Sequence, residues 1–365
     1  MARMLEVVVV PSTLCNLRCS YCYELPLLGD KRRASHEALR VIFERVAEHC
    51  ARHDVQTARV IWHGGEPLLL PPDYFWKAFE LQAEAFRATK TEVVNVTQTN
   101  LTVLDEARID LLANGFTDRG VSLDLFGSLR VNAAGRCQED RARENLDALL
   151  ERGVGMTGIT VLTRANRRFV RRIYQFYAER GMNFRLLPLH AGGYEAGKWF
   201  EIVADDTLSG FKTLADCWFA NDNAPLIHPV VGVIRDVHRA MVEGQSTGFY
   251  DKRSWEPLLI IDRDGSVYPF SDAMDPEGCY GNILESPLDE ILASASHERV
   301  LQRTEQRLAE TCGACSHYGT HCSGVPVAEH TQDFWERGDD GVARCTAFAG
   351  LIEHVQRRLA EHGMV

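Results

Sequence analysis

Through the first half of the chain, short β-rich apolar runs alternate with stretches whose apolar residues recur every three or four positions. Runs at Leu5–Val10, Ala58–Trp62, Val93–Thr97, Gly120–Leu125, Gly158–Leu162 and Phe184–Leu189 read as strands. Between them, roughly His36–His49, Pro72–Thr89, Glu106–Leu112, Arg141–Glu151 and Arg167–Arg180 read as amphipathic helices. Parallel neighbours need a crossover connection and crossovers are right-handed, so six βα repeats imply a parallel sheet with helices outside it. Six strands fall short of a closed eight-stranded barrel. The expected fold is therefore α/β, a partial (β/α)6 barrel with its chemistry at the carboxyl ends of the strands.

The repeat stops near His190. From 191 to 255 the pattern is irregular, punctuated by Gly192-Gly193, Asn221-Asp222-Asn223 and Pro225. Residues 258–270 then read as a β-hairpin turning at Asp264-Gly265. A helix over about Pro287–Ser296, a group of cysteines and a last helix near Cys345–His362 follow. The chain thus divides into a barrel at 1–190, a bridging segment at 191–255 and a smaller C-terminal domain at 256–365.

Composition narrows the chemistry. The 365 residues are 45% apolar and 25% charged, as in ordinary soluble globular proteins, with a net charge of −11. That charge argues against a broad nucleic-acid surface, because such surfaces work by neutralising phosphates. Arg164, Arg167, Arg168, Arg171 and Arg172 form a local exception, read as a solvated helix face or, as the less favoured use, a dock for an acidic peptide. No apolar run approaches the ~18 residues of a membrane span. A strand begins almost at once, so no signal peptide is expected, and the location expected is the cytoplasm.

Eleven cysteines bunch at 15–22 and 312–345, with Cys50, Cys137, Cys217 and Cys279 scattered between as small, half-buried residues. Bunching at ligand spacing in a chain without an export signal points to metal rather than disulfides. Cys15, Cys19 and Cys22 lie on one loop just after the first strand and offer three thiolates. Iron–sulfur clusters ordinarily take four cysteine ligands, so a cluster here keeps one iron open. A zinc loop or three unrelated cysteines are the plainer readings. At the second strand end, Gly64-Gly65 permit close backbone approach and Glu66 offers a carboxylate suited to an ammonium group. His63 either lines the same pocket or packs as an inert strand-end histidine.

The Cys15-x3-Cys19-x-Tyr21-Cys22 pattern resembles the cluster loop of the radical S-adenosylmethionine superfamily. The resemblance implies a 4Fe–4S cluster on Cys15, Cys19 and Cys22 and S-adenosylmethionine on the open iron, with Tyr21 at the adenine. It extends to Gly64-Gly65-Glu66-Pro67, which in that family binds the cofactor's amino group. Thr97-Gln98-Thr99-Asn100 resembles a T-N-G segment, although Leu101 stands where glycine is usual. Ser122 sits where the family's S-x-D strand end meets the cofactor's carboxylate or ribose, and Arg130 resembles the arginine that pairs with that carboxylate.

The C-terminal part is similar to the SPASM extension of peptide-modifying radical enzymes, through its hairpin, Gly281-Asn282-Ile283 and the cysteines that follow. SPASM modules usually hold two auxiliary clusters. Cys312, Cys315, Cys322 and Cys345 map onto one, whereas Phe270 and Pro326 stand where the other needs ligands, so one auxiliary 4Fe–4S cluster is expected and Cys279 is left without a role. A Cys2His2 zinc site on Cys312, Cys315, His317 and His321 is the competing reading.

By resemblance, the chain makes a 5′-deoxyadenosyl radical that takes a side-chain hydrogen from a ribosomally made precursor peptide. A carbon–carbon link of the cyclophane type, or a carbon–sulfur link, then closes. Val46-Ala47-Glu48-His49 and the His63–Leu69 run resemble the cyclophane-forming maturases. A flavodoxin or ferredoxin is the implied reductant; neither nucleic acid nor membrane is an expected partner. Because the first strand comes so early, no leader-binding domain is expected ahead of it, and leader recognition is expected to use the barrel rim, the 191–255 segment or another protein. Alternatives are an amino-sugar dehydrogenase, a sulfatase-maturase relative or, less favoured, a silent iron–sulfur scaffold. No general acid or base is assigned; Asp124, Asp272, His190 and Tyr194 are cavity candidates only.

Overall fold

Leu5, Val7 and Val9 are each about 1% exposed or less, and this alternation makes the first strand the spine of a sheet. The computed structural model describes residues 3–189, 199–269, 276–325, 335–337 and 343–365. His190, Tyr194, Gly192-Gly193, Phe270, Asp272 and Pro326, all named above, lie outside the described residues. In chain order come β1 (Met4–Ser12), α1 (His36–Arg52), β2 (Thr57–Gly64), α2 (Pro72–Phe86), β3 (Glu92–Thr99), α3 (Glu106–Asp110) and β4 (Asp118–Ser122). Next are α4 (Glu139–Glu151), β5 (Thr157–Leu162), α5 (Val170–Glu179), β6 (Phe184–Pro188), α6 (Ala204–Phe219), β7 (Ile227–His228) and α7 (Val230–Val242). The chain continues with β8 (Leu258–Ile261), β9 (Ser266–Tyr268), β10 (Gly281–Asn282), α8 (Leu288–Ile291), α9 (Ala295–Arg307), β11 (Trp335–Arg337), β12 (Ala343–Cys345) and α10 (Thr346–Glu361). All six strands expected from the apolar runs are present, in an α/β fold.

The chain forms two compact units that cut across sequence order. One gathers Met1–Ser122, Arg130–Met156 and Lys252–Gln302; the other gathers Leu123–Leu129, Thr157–Asp251 and Arg303–Val365. In the first unit the strand order is β10-β9-β8-β1-β2-β3-β4. β1 runs parallel to β2, with Val7 opposite Val60, and parallel to β8, with Val7 opposite Leu259. β8, β9 and β10 are antiparallel, so the hairpin expected at 258–270 begins on the sheet beside β1. α1 starts at Ser35, whose hydroxyl accepts the Ala38 N–H at 3.1 Å as an N-cap. It buries Leu39, Ile42, Phe43 and Val46, each burial contributing about 1.5–3 kcal/mol. Trp62 is fully buried, meets Phe43 and Phe75 edge-on, and donates its indole N–H to Asn95 at 2.9 Å.

In the second unit β5, β6 and β7 are parallel neighbours. α10 buries Ala347, Leu351, Ile352, Val355 and Leu359. Gly350 lets it pass close to Leu208 of α6, because a Cβ there would lie 2.6 Å from the leucine side chain. The segment 191–255, expected to be irregular, contains α6 and α7. The punctuating residues at 221–225 only separate these helices, and within α6 Thr207, Phe211, Leu214 and Ala215 keep a buried helical stripe. The helix expected over Pro287–Ser296 also differs. It is two helices, α8 and α9, broken at 292–294, where the Ser294 hydroxyl donates to the Tyr280 carbonyl and accepts the His297 N–H. The five arginines from 164 to 172 are exposed, with Arg172 over Phe126 at 4.3 Å and Arg167 paired with Asp206, as a solvated face requires. Of the four scattered cysteines expected to be half-buried only Cys279 is so; Cys50 and Cys217 are buried and Cys137 is exposed. No helix among the described residues is long and apolar enough to cross a membrane.

Candidate functional site

The loop after β1 is tied at both ends. The Cys15 N–H donates to Leu28 O at 3.1 Å and the Thr13 hydroxyl to Leu27 O at 3.1 Å, folding residues 14–28 back onto the strand end. Within this turn the Cys22 N–H donates to Cys19 O at 3.0 Å. Cys15 sulfur accepts the Leu17 N–H at 3.3 Å and the Asn100 side-chain amide at 3.7 Å. Cys19 is buried and Cys15 and Cys22 are half-buried. Burial first, then the neighbouring Glu66 and Cys19, push the Cys15 thiol up to about 11, against the pull of the Leu17 amide. Burial, then Glu24 and Cys19, push Cys22 up to about 12. Such thiols ionise at neutral pH only beside a strong local cation, the service a cluster iron provides. Three neighbouring sulfurs, one buried and two half-buried, that would repel one another as thiolates, with N–H groups aimed at Cys15, therefore fit a cluster.

The β2 end closes on this loop. Gly65 N–H donates to Ser12 O at 3.1 Å and Glu66 N–H to Leu14 O at 2.9 Å. Only glycine fits here, since a Cβ on Gly65 would stand 2.3 Å from Thr13 O and 2.4 Å from Leu14 O. Gly64 holds φ at +110°, in the region that favours glycine. Glu66 is 2% exposed and accepts from Leu68 N–H at 2.9 Å, the Thr99 hydroxyl at 2.7 Å and Asn100 N–H at 2.6 Å. Burial raises its pKa, while those hydrogen bonds and Arg130 pull the other way. His63 is pulled down to about 4 by burial, so its ring is neutral at pH 7.

The remaining expected residues converge on the same end of the first unit. Asn100 donates to Asn16 Oδ1 at 3.0 Å as well as to Cys15. Leu101, where glycine was expected, still takes the left-handed backbone (φ +55°) with its side chain fully buried. Gln98 donates to the Ser122 hydroxyl at 2.6 Å, and Gly120 makes room for the Gln98 side chain. Arg18 N–H donates to Val131 O at 2.6 Å, which brings Arg130 beside the loop, where its guanidinium donates to the Tyr21 hydroxyl at 3.3 Å. Asp124 is buried and accepts the Val161 N–H at 2.8 Å, a strand-bracing contact in the second unit.

Two contributors were missed. Arg263, from the β8–β9 turn, donates to the Thr13 hydroxyl at 2.7 Å and to Asp30 at 2.8 Å, clamping both feet of the cysteine loop. Glu24 is 3% exposed; burial, then Asp262, push its carboxyl up to about 8 while Arg263 opposes them. Neither has a local signal, because their environment comes from residues more than two hundred positions away.

In the second unit Cys312 closes a π turn over Leu308–Cys312, a distortion that recurs at functional sites. Cys315 N–H donates to Cys312 O at 2.9 Å, and Gly319 N–H to Cys322 O at 2.8 Å. The Thr247–Tyr250 segment covers this turn: Gly248 N–H donates to Gly319 O at 3.1 Å and Tyr250 N–H to Ser323 O at 2.8 Å. Cys345 caps the start of α10, where the amides of Phe348 and Ala349 act against a burial-raised thiol. Cys322 is pushed up to about 11 by burial, with Cys345, Cys312 and Cys315 adding to it, so the four thiols sense one another. The ligand atoms of Cys312, Cys315, His317 and His321 do not gather within 4.8 Å of one another, the convergence a single zinc needs. Thiols on separate cluster corners need no such convergence. None of the eleven cysteines is joined in a disulfide.

Residues 9–177 match the model of the Radical SAM superfamily. A cysteine-type anaerobic sulfatase-maturating enzyme of Clostridium perfringens (strain 13 / Type A) is 24% identical over 331 residues, covering 85% of this chain and 86% of that one. Native anSMEcpe with bound AdoMet and Cp18Cys peptide superposes with a TM-score of 0.76 at 19% identity, covering 98% of this chain and 97% of the other. Streptococcus suis SuiB bound to precursor peptide SuiA gives a TM-score of 0.54 at 16% identity, over 81% and 66% of the two chains. These likenesses to solved structures establish the fold.

Proposed function

Because residues 9–177 form a radical SAM domain, which works with a 4Fe–4S cluster and S-adenosylmethionine, we propose that this enzyme oxidises a side chain of a ribosomally made peptide. When bound, the cluster and S-adenosylmethionine supply one-electron reductive cleavage and a hydrogen-abstracting 5′-deoxyadenosyl radical. The observation that carries the reading is the meeting, at one sheet end, of the cysteine loop, the Gly64-Gly65-Glu66 turn, Asn100 and Arg130. In it Cys15, Cys19 and Cys22 ligate the cluster. Gly64 and Gly65 bring backbone to the cofactor's amino group and Glu66 holds that turn. Ser122 and Arg130 receive its carboxylate or ribose, while Tyr21 and His63 wall the pocket. Cys312, Cys315, Cys322 and Cys345 hold one auxiliary cluster.

The peptide substrate is supported by the relatives, whose solved forms include anSMEcpe with a Cp18Cys peptide and SuiB with precursor peptide SuiA. The product we favour is a crosslink of the cyclophane or carbon–sulfur type: one side-chain carbon gives up a hydrogen atom, which ends in 5′-deoxyadenosine, the new bond closes as the second hydrogen leaves its partner group as a proton to solvent, and the remaining electron would be accepted by an auxiliary cluster held on Cys312, Cys315, Cys322 and Cys345. A flavodoxin- or ferredoxin-class protein supplies the first electron. A second reading, oxidation of one cysteine or serine in a sulfatase, is favoured by the sulfatase-maturating relative that matches 85% of the chain. Anaerobic turnover with S-adenosylmethionine, reductant and candidate peptides separates them. A crosslink gives a peptide lighter by two hydrogens that resists fragmentation inside the ring and ignores hydrazide reagents; sulfatase-type oxidation gives a hydrazide-reactive aldehyde. Formation of 5′-deoxyadenosine with unaltered peptides, alongside oxidation of an amino sugar, would sink both peptide readings.

A further inference from the structure

In the first unit, outside both cysteine groups, His49 and His53 stand four residues apart at the carboxyl end of α1 and therefore on one face of it. Asp289, in the first turn of α8, reaches both. Its Oδ1 lies 2.6 Å from His49 Nδ1 and 2.8 Å from His53 Nε2, and the three ligand atoms fall within 4.8 Å of one another. We propose that His49, His53 and Asp289 form a binding site for a divalent cation of the zinc class, which clips the end of α1 to α8.

Two imidazoles with one carboxylate are the donor set that zinc and its neighbours favour over calcium or magnesium. With metal–ligand bonds of 2.0–2.2 Å, donors around a tetrahedral ion stand about 3.3 Å apart. The two ring nitrogens, now 2.6 and 2.8 Å from Asp289 Oδ1, need to draw back from it by only about 0.5–0.7 Å to admit the ion. His53 can give that much, because it lies just beyond the last helical residue and its side chain is 38% exposed. His49 is held more firmly, so the rest of the opening falls to the part-exposed Asp289 side chain. His49 is 5% exposed and stacked against Trp255, with ring centroids 6.1 Å apart. The indole is itself held by its N–H to Met4 O at 3.1 Å and by Arg3 over its ring. Arg52 pairs with Asp289 Oδ2, leaving Oδ1 to the histidines. A partner on the distal oxygen is how a ligating carboxylate is commonly oriented. Asp289 is 23% exposed, so water can complete the coordination from the open side.

A plain hydrogen-bonded staple, with each imidazole donating a proton to Oδ1, uses the same residues but predicts a different outcome. The test uses the anaerobically reconstituted holoenzyme, treated with a chelator resin, loaded with one equivalent of zinc and desalted. Zinc and iron per chain are then measured by plasma mass spectrometry for wild type, His53→Ala and Asp289→Asn. The site predicts about one retained zinc in wild type and a loss of roughly tenfold or more in both variants, with iron unchanged in all three. Zinc should also raise the thermal midpoint of wild type and not of the variants. Asp289→Asn preserves side-chain shape, so a His53→Ala chain that folds poorly does not blunt the comparison. Equal zinc in all three proteins, or none retained by a fully iron-loaded wild type, overturns the proposal.

Discussion

Glu66 accepts the backbone N–H of Asn100 at 2.6 Å, and this bond fastens the end of β2 to the end of β3. The same carboxylate takes Leu68 N–H and the Thr99 hydroxyl, so one buried acid organises two adjacent strand ends. Glu66→Gln keeps an oxygen for Leu68 and Thr99 but turns an NH2 group toward the Asn100 N–H, setting donor against donor. A loss of about 1–3 kcal/mol in unfolding free energy is expected, with weaker S-adenosylmethionine binding. A variant as stable as wild type in denaturant titration would show that the Asn100 bond is dispensable.

The two cysteine groups should separate cleanly by substitution. On the ligand assignment proposed above, Cys19→Ala would take one ligand from the front cluster and should abolish 5′-deoxyadenosine formation, with iron falling by about four atoms per chain. Cys345→Ala should cost a similar amount of iron but leave reductive cleavage of S-adenosylmethionine running, now uncoupled from peptide oxidation. Persistence of 5′-deoxyadenosine in Cys19→Ala would remove the cysteine loop from the chemistry.

His63 gives the site a pH signature. Its folded pKa is held near 4 by burial, below the ordinary 6.5. Between those values the unfolded chain binds a proton that the folded chain refuses, so stability rises with pH across the interval. The contribution is fully present above about pH 6.5 and is lost as pH falls through about 4, amounting at most to some 3 kcal/mol. His63→Gln should therefore flatten the fall in thermal midpoint between pH 7 and 5. Parallel curves for the two proteins would place the proton elsewhere.

Sequence pattern made the barrel strands visible because each is a short apolar run bounded by turn residues, and it placed the cysteine loop and the glycine turn on consecutive strand ends. Leu101 shows where residue type misleads. The side chain departs from the expected glycine, yet the backbone keeps φ at +55°, held by Leu101 N–H to the Thr99 hydroxyl and Asn145 to the Leu101 carbonyl. A buried leucine can offset the ~1–2 kcal/mol strain of that conformation. Arg263 shows what pattern cannot reach. Its clamp on Thr13 and Asp30 spans 250 and 233 residues, and an arginine beside a hairpin turn looks like ordinary surface charge until the sheet puts β8 next to β1.

Gly65 offers the sharpest test of how the cysteine loop is seated. A methyl group there would lie 2.3 Å from the Thr13 carbonyl oxygen and 2.4 Å from that of Leu14, and both are backbone atoms with no rotamer to escape into. The loop that starts at Leu14 must then move outward, breaking the Gly65-to-Ser12 and Glu66-to-Leu14 hydrogen bonds. Gly65→Ala should lower stability by about 1–3 kcal/mol and reduce cluster loading, seen as lost iron and a raised dissociation constant for S-adenosylmethionine. Gly155→Ala is the matched control, since nothing lies within 4 Å of its added methyl group. Full iron and wild-type affinity in Gly65→Ala would mean that the loop tolerates displacement from β2, and the close crossing of these two strand ends would then have no part in holding the cofactor.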